Sequence, residues 1–300
     1  MNNVDNLNNN RNLLFRMSYT YREDNTEENG GVYEWNGITL KNSIQTHRET
    51  KVEMVERPGW GMTCYMDGTI QSCEIDEVLY HEALVHPAMI SVSTRERVMI
   101  VGGGEGATAR EVLKWADVKK VDMYEWDKDV VRFFQAYYPQ WAKGAWEDPR
   151  LSIYYDDIVE RIKVKPAEEE RYDVIIIDLF DPSKDTMMAW YDILINVHHW
   201  IKPEGTIVLY AGIRNRMEKK QSYQRIIEII QYADTWQDMK VKLVPLQGCI
   251  VPYRVYIPSF LGESTFLLLH PKGQEPDFTH LTVSSHLTND IWNSYKTFNW

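Results

Sequence analysis

The stretch VMIVGGGEGATAREVLKW, residues 98–115, joins an apolar run to a glycine cluster and then to a helical pattern. Loops of that design cradle phosphates with backbone N–H groups and the positive end of a helix. Glu105 stands among the glycines, where its carboxylate repels phosphate and attracts a cation. More acids follow the next apolar runs: Glu125 and Asp127 after the second, Asp157 after the third, and Asp178 and Asp181 after the fourth. Glu125 lies 20 residues beyond Glu105, the position and spacing of a carboxylate that grips a ribose diol. Asp157 is placed to accept a hydrogen bond from an adenine amino group or, equally, to cap a helix. Asp178 is placed to take a proton from an ammonium, which is no nucleophile until it loses one. The same DLFDP stretch also reads as a simple strand end and turn.

These acids describe a site for an adenosine-containing, phosphate-free ligand of the AdoMet type. AdoMet ends in an amino-acid tail whose carboxylate Glu105 disfavours. Decarboxylated AdoMet ends in a cationic aminopropyl group that Glu105 attracts, and repelling the wrong tail is a means of specificity.

The elements that must position these acids form a regular series. RVMIVGG, KKVDMYEWD, RLSIYYDD, YDVIIIDLFD and EGTIVLYAG are apolar runs of strand length, and helical patterns such as TAREVLKWA, KDVVRFFQAYY and SYQRIIEIIQYAD lie between or after them. MKVKLVPL and STFLLLH complete the pattern. Strands alternating with helices, several of them apolar throughout, predict a Rossmann-like, class I methyltransferase-type α/β fold with a mostly parallel sheet. Ligands bind such sheets beyond the carboxyl ends of the strands, where the acids sit. Before this, YEWNGITLKNS and TKVEMVERPGWGMTCYMDGTIQS read as short strands with hairpin turns at ERPGW and MDGT. DEVLYHEALVHPAMI then shows helical spacing and is expected to end near Pro87. The resulting division is a polar, disordered tail over 1–31, a β-hairpin domain with a connecting helix over 32–92, and a Rossmann-like catalytic domain over 93–300.

MDGTIQSCEIDEVLYHEALVHPAM, GGGEGATAREVLKW, YEWDKDVV, WEDPRLSIYYDD and RYDVIIIDLFDP resemble the polyamine aminopropyltransferases, the spermidine synthase family. YHEALVHPA, GGGEGATARE and VPYRVYIPSF are most similar to its thermospermine synthase branch. The resemblance runs in order over roughly residues 32–270. It implies transfer of an aminopropyl group from decarboxylated AdoMet, a co-substrate rather than a prosthetic group, to an amine such as putrescine or spermidine, releasing methylthioadenosine. On matching positions it implies that Gln71, Gly102, Gly104 and Glu105 face the donor, with Glu105 on the aminopropyl ammonium. Glu125 would bind the ribose, and Asp157 with the Ile158 backbone the adenine. Tyr80 and His81 would border the transferred chain and the acceptor, Asp178 would be the general base, and Asp181 a second ammonium anchor. It also implies a homodimer or homotetramer built through the N-terminal domain.

The chain departs from the family at three places. The segment after Asp181, DPSKDTMMAWYDILINVHHW, is shorter and lacks a Gly-Pro. Phe260 stands where the family has a tyrosine whose hydroxyl helps hold the acceptor amine, and one hydrogen bond to a charged group is worth about 1.5–3 kcal/mol. The N-terminal glutamine that contacts the donor has no clear equivalent, with Thr50 or Glu53 in that region. Two other readings stay open on these grounds: an AdoMet-dependent methyltransferase on the same scaffold, and a non-catalytic polyamine- or nucleoside-binding homologue.

Composition bounds the partners. A net charge of −11 argues against nucleic acid, whose phosphates require a basic face, and suits a cationic substrate. No apolar run reaches the roughly 18 residues of a membrane span, and the asparagine-rich start has no apolar core of a signal peptide. Cys64, Cys73 and Cys249 show no metal or disulfide spacing, which fits a reduced cytoplasm. Trp35 is a candidate wall for the acceptor end or, alternatively, core. His198 and His199, adjacent in an expected helix, should point to different faces and make a poor metal pair.

Overall fold

A computed structural model describes residues 19–25, 31–214, 220–232, 250–270 and 275–297. The N-terminal sheet is antiparallel, with strands β1 (Tyr19–Asn25), β2 (Gly31–Gln45), β3 (Lys51–Arg57), β4 (Gly61–Met66) and β5 (Thr69–Cys73) in sequential order. The turns fall at the ERPGW and MDGT breaks, where Gly61 and Gly68 have φ of +78° and +85°. β1 corrects the tail expectation. Tyr21 is buried between the exposed Thr20 and Arg22, and its ring centroid lies 4.0 Å from that of Tyr65. The inward ring of Tyr21 anchors the strand, a signal that the polar composition hid. Val52, Met54 and Cys64 of this sheet pack against Phe133 and Phe134 of the second domain.

Helix α1 (Glu77–Ser91) follows and packs against α2 and β10, defined below. It runs through Pro87 instead of ending there. Proline removes the N–H that would bond the carbonyl one turn back. Here the Ala83 carbonyl accepts the Tyr253 hydroxyl at 2.8 Å, so the chain continues helical without an orphaned buried acceptor.

The second sheet contains β6 (Arg97–Gly102), β7 (Lys120–Glu125), β8 (Leu151–Tyr155), β9 (Tyr172–Asp178), β10 (Ile201–Ile213), β11 (Ile250–Ile257) and β12 (Gly262–Leu269). Their spatial order is β11-β12-β10-β9-β6-β7-β8. The five strands from β10 to β8 are parallel, and β12 is antiparallel to both β10 and β11. Helices α2 (Ala107–Leu113), α3 (Lys128–Tyr137), α4 (Ile158–Arg161), α5 (Met187–Asn196), α6 (Ser222–Tyr232) and α7 (Asn289–Lys296) complete the domain. The isoleucine run of β9 is explained by burial on both faces, with Ile176 in one core cluster and Ile175 and Ile177 in the other. β11 was read above only as a motif, and MKVKLVPL lies outside the described residues. The chain leaves β6 outward through β7 and β8, then returns to β9 on the other side, so the switch point lies between β6 and β9. Gly102 pairs with Asp178 there. No helix among the described residues is long and apolar enough to cross a membrane.

Candidate active site

A cavity of about 450 Å³ opens between the N-terminal sheet and the carboxyl ends of β6, β7, β9 and β10. Gln71, Tyr80, His81, Glu105, Glu125, Asp178 and Asp181 line it together, with Gly102, Gly104 and Phe260. Residues up to 189 positions apart thus meet because the ends of β6, β7 and β9 deliver Glu105, Glu125, Asp178 and Asp181 to one edge of the sheet.

Backbone geometry at the glycine loop has a steric cause. Gly102 adopts φ +86°, and a Cβ there would sit 2.0 Å from the Asp178 carbonyl oxygen. Only glycine lets β6 and β9 approach this closely and still turn. A Cβ on Gly104 would lie 2.9 Å from Val130 Cγ1 and 3.2 Å from Glu125 Oε2, so this position must stay small for Glu125 to reach the cavity.

Glu105 is held by charge. His81 Nε2 lies 2.8 Å from Glu105 Oε1, and His81 Nδ1 lies 2.9 Å from Glu77 Oε2. Arg110 closes the chain with Nη1 and Nη2 at 2.9 and 2.8 Å from the Glu77 carboxylate. Burial alone would lower the His81 pKa, but Glu105 and Glu77 outweigh it and push it up to about 10. Burial would raise Glu77, yet His81 and Arg110 bring it down to about 2. Four charges therefore alternate from Arg110 to Glu105. His81 lines the cavity as the resemblance implied, but both its nitrogens are committed to carboxylates. Its nitrogens face Glu77 and Glu105.

Phenols hold the other carboxylates. The Tyr80 hydroxyl donates to Asp178 Oδ1 at 2.7 Å, and Thr108 Oγ1 donates to Asp178 Oδ2 at 3.3 Å. The Tyr210 hydroxyl donates to Asp181 Oδ1 at 2.6 Å. Burial raises the pKa of Asp178 despite the opposing His81 charge and Tyr80 hydrogen bond. Burial likewise raises Asp181 against the Tyr210 hydrogen bond. Tyr80 is pushed well up by burial and by Asp178, so its phenol remains a donor. Two half-buried carboxylates with raised proton affinity, each backed by a phenol, are suited to receive protons from amines.

Glu125 is pushed up to about 7 by burial, which outweighs hydrogen bonds from the Asp127, Trp126 and Gly104 backbone. Asp127 lines the cavity beside it and caps α3 by accepting from Asp129 N at 3.0 Å. Asp157 and Ile158 do not line this cavity. Asp157 Oδ1 accepts from Val159 N at 2.9 Å and caps α4. Thr50 lines the cavity, whereas Glu53 does not and instead pairs with Lys51 at 2.9 Å. Trp35 is also outside it and packs on Arg57, whose guanidinium lies 3.7 Å from the ring centroid. His198 and His199 sit in a tight 3-10 turn with ring centroids 3.7 Å apart, not on separate faces as a regular helix would place them. Burial lowers both, His199 to about 4.

Sequence reasoning passed over Glu77, Arg110, Thr108 and Tyr210. Glu77 and His81 are four apart on α1, a spacing that brings side chains together on a helix, and that signal was readable. Tyr210 carries none.

The model of the spermine/spermidine synthase domain matches residues 77–272. The chain is 44% identical to a polyamine aminopropyltransferase of Aeropyrum pernix over 81% of this chain and 79% of that protein. It is 35% identical to polyamine aminopropyltransferase 1 of Hyperthermus butylicus over 76% of this chain and 74% of the relative. Its fold is similar to that of the spermidine synthase from Thermotoga maritima, with a TM-score of 0.75 and 22% identity over 96% of this chain and 94% of the other. A spermidine synthase in complex with the transition-state analogue AdoDATO gives a TM-score of 0.77 at 21% identity, with coverage of 96% and 94%. A Rossmann-like sheet with acids gathered at its switch point defines the class, and the chain belongs to the spermine/spermidine synthase family. It is accordingly an aminopropyltransferase.

Proposed function

We propose that this cavity transfers the aminopropyl group of decarboxylated AdoMet to a polyamine acceptor, each residue acting at a definite atom. The supporting observation is that Glu105, Asp178 and Asp181 face one cavity, so that a cationic donor tail and a cationic acceptor meet there. Glu105 accepts the aminopropyl ammonium and Glu125 the ribose hydroxyls. Asp157 and the Ile158 N–H take the adenine beyond Glu125; the α4 cap engages Oδ1 of Asp157. Asp178 takes a proton from the acceptor ammonium. The freed nitrogen attacks the carbon bonded to the sulfonium, the C–S electron pair moves to sulfur, and neutral methylthioadenosine leaves. Holding both partners in one cavity makes the displacement effectively intramolecular. This reading also takes the protein to be cytoplasmic and a homodimer or homotetramer joined through the N-terminal sheet, where Val32 and Leu40 of β2 are exposed.

The test is incubation with decarboxylated AdoMet and, separately, putrescine, cadaverine, spermidine and norspermidine, with AdoMet as control donor. Methylthioadenosine release with a product heavier by one aminopropyl unit is the expected result. Methyl transfer from AdoMet, or binding of methylthioadenosine and amine with no product, would overturn it.

A further inference from the structure

Phe260 brings no hydroxyl to its wall of the cavity, and the polar group nearest Asp181 comes from another element. β10 and β12 keep regular antiparallel register from Ile207↔Leu269 to Tyr210↔Phe266, and the register then shifts before Ile213↔Ser264. Inside the shift Gly212 has φ +91°, and its carbonyl accepts from Thr265 Oγ1 at 2.6 Å. A Cβ on Gly212 would lie 2.9 Å from Ser222 Cβ. Such an irregularity bends a strand and re-aims its side chains. It lies directly after Tyr210, at the cavity end of β10. Tyr210 is buried at 7% exposure, with its ring centroid 5.8 Å from that of Tyr80 and 6.1 Å from that of Phe266. Packing on both sides fixes the ring, and the phenol reaches Asp181 Oδ1 at 2.6 Å. Among the described residues no other side chain donates to that carboxylate.

We infer that Tyr210 is a positioning residue that holds Asp181 in place for an alkyl polyammonium acceptor, so that the Tyr210–Asp181 pair sets acceptor affinity while the Tyr80–Asp178 pair sets turnover. The identity of the acceptor class rests on the aminopropyl-transfer reading. The placement of Tyr210 does not. With Oδ1 engaged by the phenol, the carboxylate keeps one orientation and offers its second oxygen to an ammonium. Without the phenol, a half-buried carboxylate of raised proton affinity keeps its proton more readily and loses its attraction for a cation.

Calorimetric titration of putrescine and of spermidine into protein saturated with methylthioadenosine tests this in wild type, Tyr210→Phe, Asp181→Asn and the double variant. Steady-state kinetics run in parallel. Tyr210→Phe should weaken binding of the preferred amine about tenfold, as loss of one hydrogen bond to a charged group does, and raise KM more than it lowers kcat. The double variant should bind no more weakly than Asp181→Asn alone, because one residue acts through the other. Unchanged methylthioadenosine affinity in all variants reports an intact fold. Unchanged amine affinity in Tyr210→Phe, penalties that multiply in the double variant, or a fall in kcat at constant KM would each overturn the inference. Amine binding that depends on Tyr210 without any turnover would count against the transfer reading alone. Turnover with amine binding indifferent to Tyr210 would count against the inference alone.

Discussion

At one end of the cavity Glu105 is braced by His81, then Glu77, then Arg110, an alternation of full charges buried behind the glycine loop. At the other end Asp178 and Asp181 are braced by neutral phenols, Tyr80 and Tyr210. The two arrangements differ in the charge of the bracing partner. Glu105 lies 2.8 Å from the His81 imidazole, which is itself paired with Glu77. Beside a neutral phenol, burial still raises a carboxylate's proton affinity, and the phenol hydrogen bond offsets only part of that rise. On the proposed reading, one end selects and the other reacts.

The largest expected effect breaks the reacting end. Asp178→Asn should lower turnover by at least about 10²-fold, the usual contribution of a positioned general base, while methylthioadenosine affinity is preserved. Undiminished turnover would remove Asp178 from that role. In wild type the base works only when ionised, so kcat/KM should rise with pH through an acid limb lying above 3.8, the ordinary aspartate value.

Next in size is a change at the selecting end. Glu77→Gln leaves His81 and Arg110 short of a counter-charge, and breaking a buried pair costs about 3 kcal/mol. Urea unfolding should show that loss at pH 7. The folded pKa of Glu77 is depressed to about 2 from 4.5, so its stabilisation is full above 4.5 and fades as pH falls towards 2. The wild-type and variant unfolding midpoints should converge in acid; a gap that stays constant with pH would show that packing, not charge, is lost.

A smaller effect concerns Glu125. Hydroxyl donors from a ribose favour the ionised carboxylate and pull its pKa down from about 7. Binding of methylthioadenosine near pH 6.5 should therefore release a fraction of one proton, on the order of half. Calorimetry in buffers of different ionisation enthalpy measures this. No buffer dependence would separate Glu125 from the ribose.

The acids of both ends were legible in the sequence. Glu105, Glu125 and Asp178 each follow an apolar run, and a parallel sheet turns that local order into a shared edge. The chain that braces Glu105 was less visible because Glu77 and Arg110 are 33 residues apart on different helices. Tyr210 was invisible for another reason: its direction depends on where β10 loses register with β12, a partner that follows it in sequence by dozens of residues. β1 was lost to composition, since Tyr21, which buries, sits among polar residues. Asp157 kept both of its readings, and the helix cap is the one the geometry makes explicit.

The claim that Glu105 selects the ligand is tested most directly by measuring affinities for decarboxylated AdoMet and AdoMet in wild type and Glu105→Gln. The account predicts that wild type binds decarboxylated AdoMet more tightly, by roughly 10–100-fold, the range for one hydrogen bond to a charged group, and that the variant loses most of that preference. Equal affinities in wild type, or a preference that survives in Glu105→Gln, would contradict it.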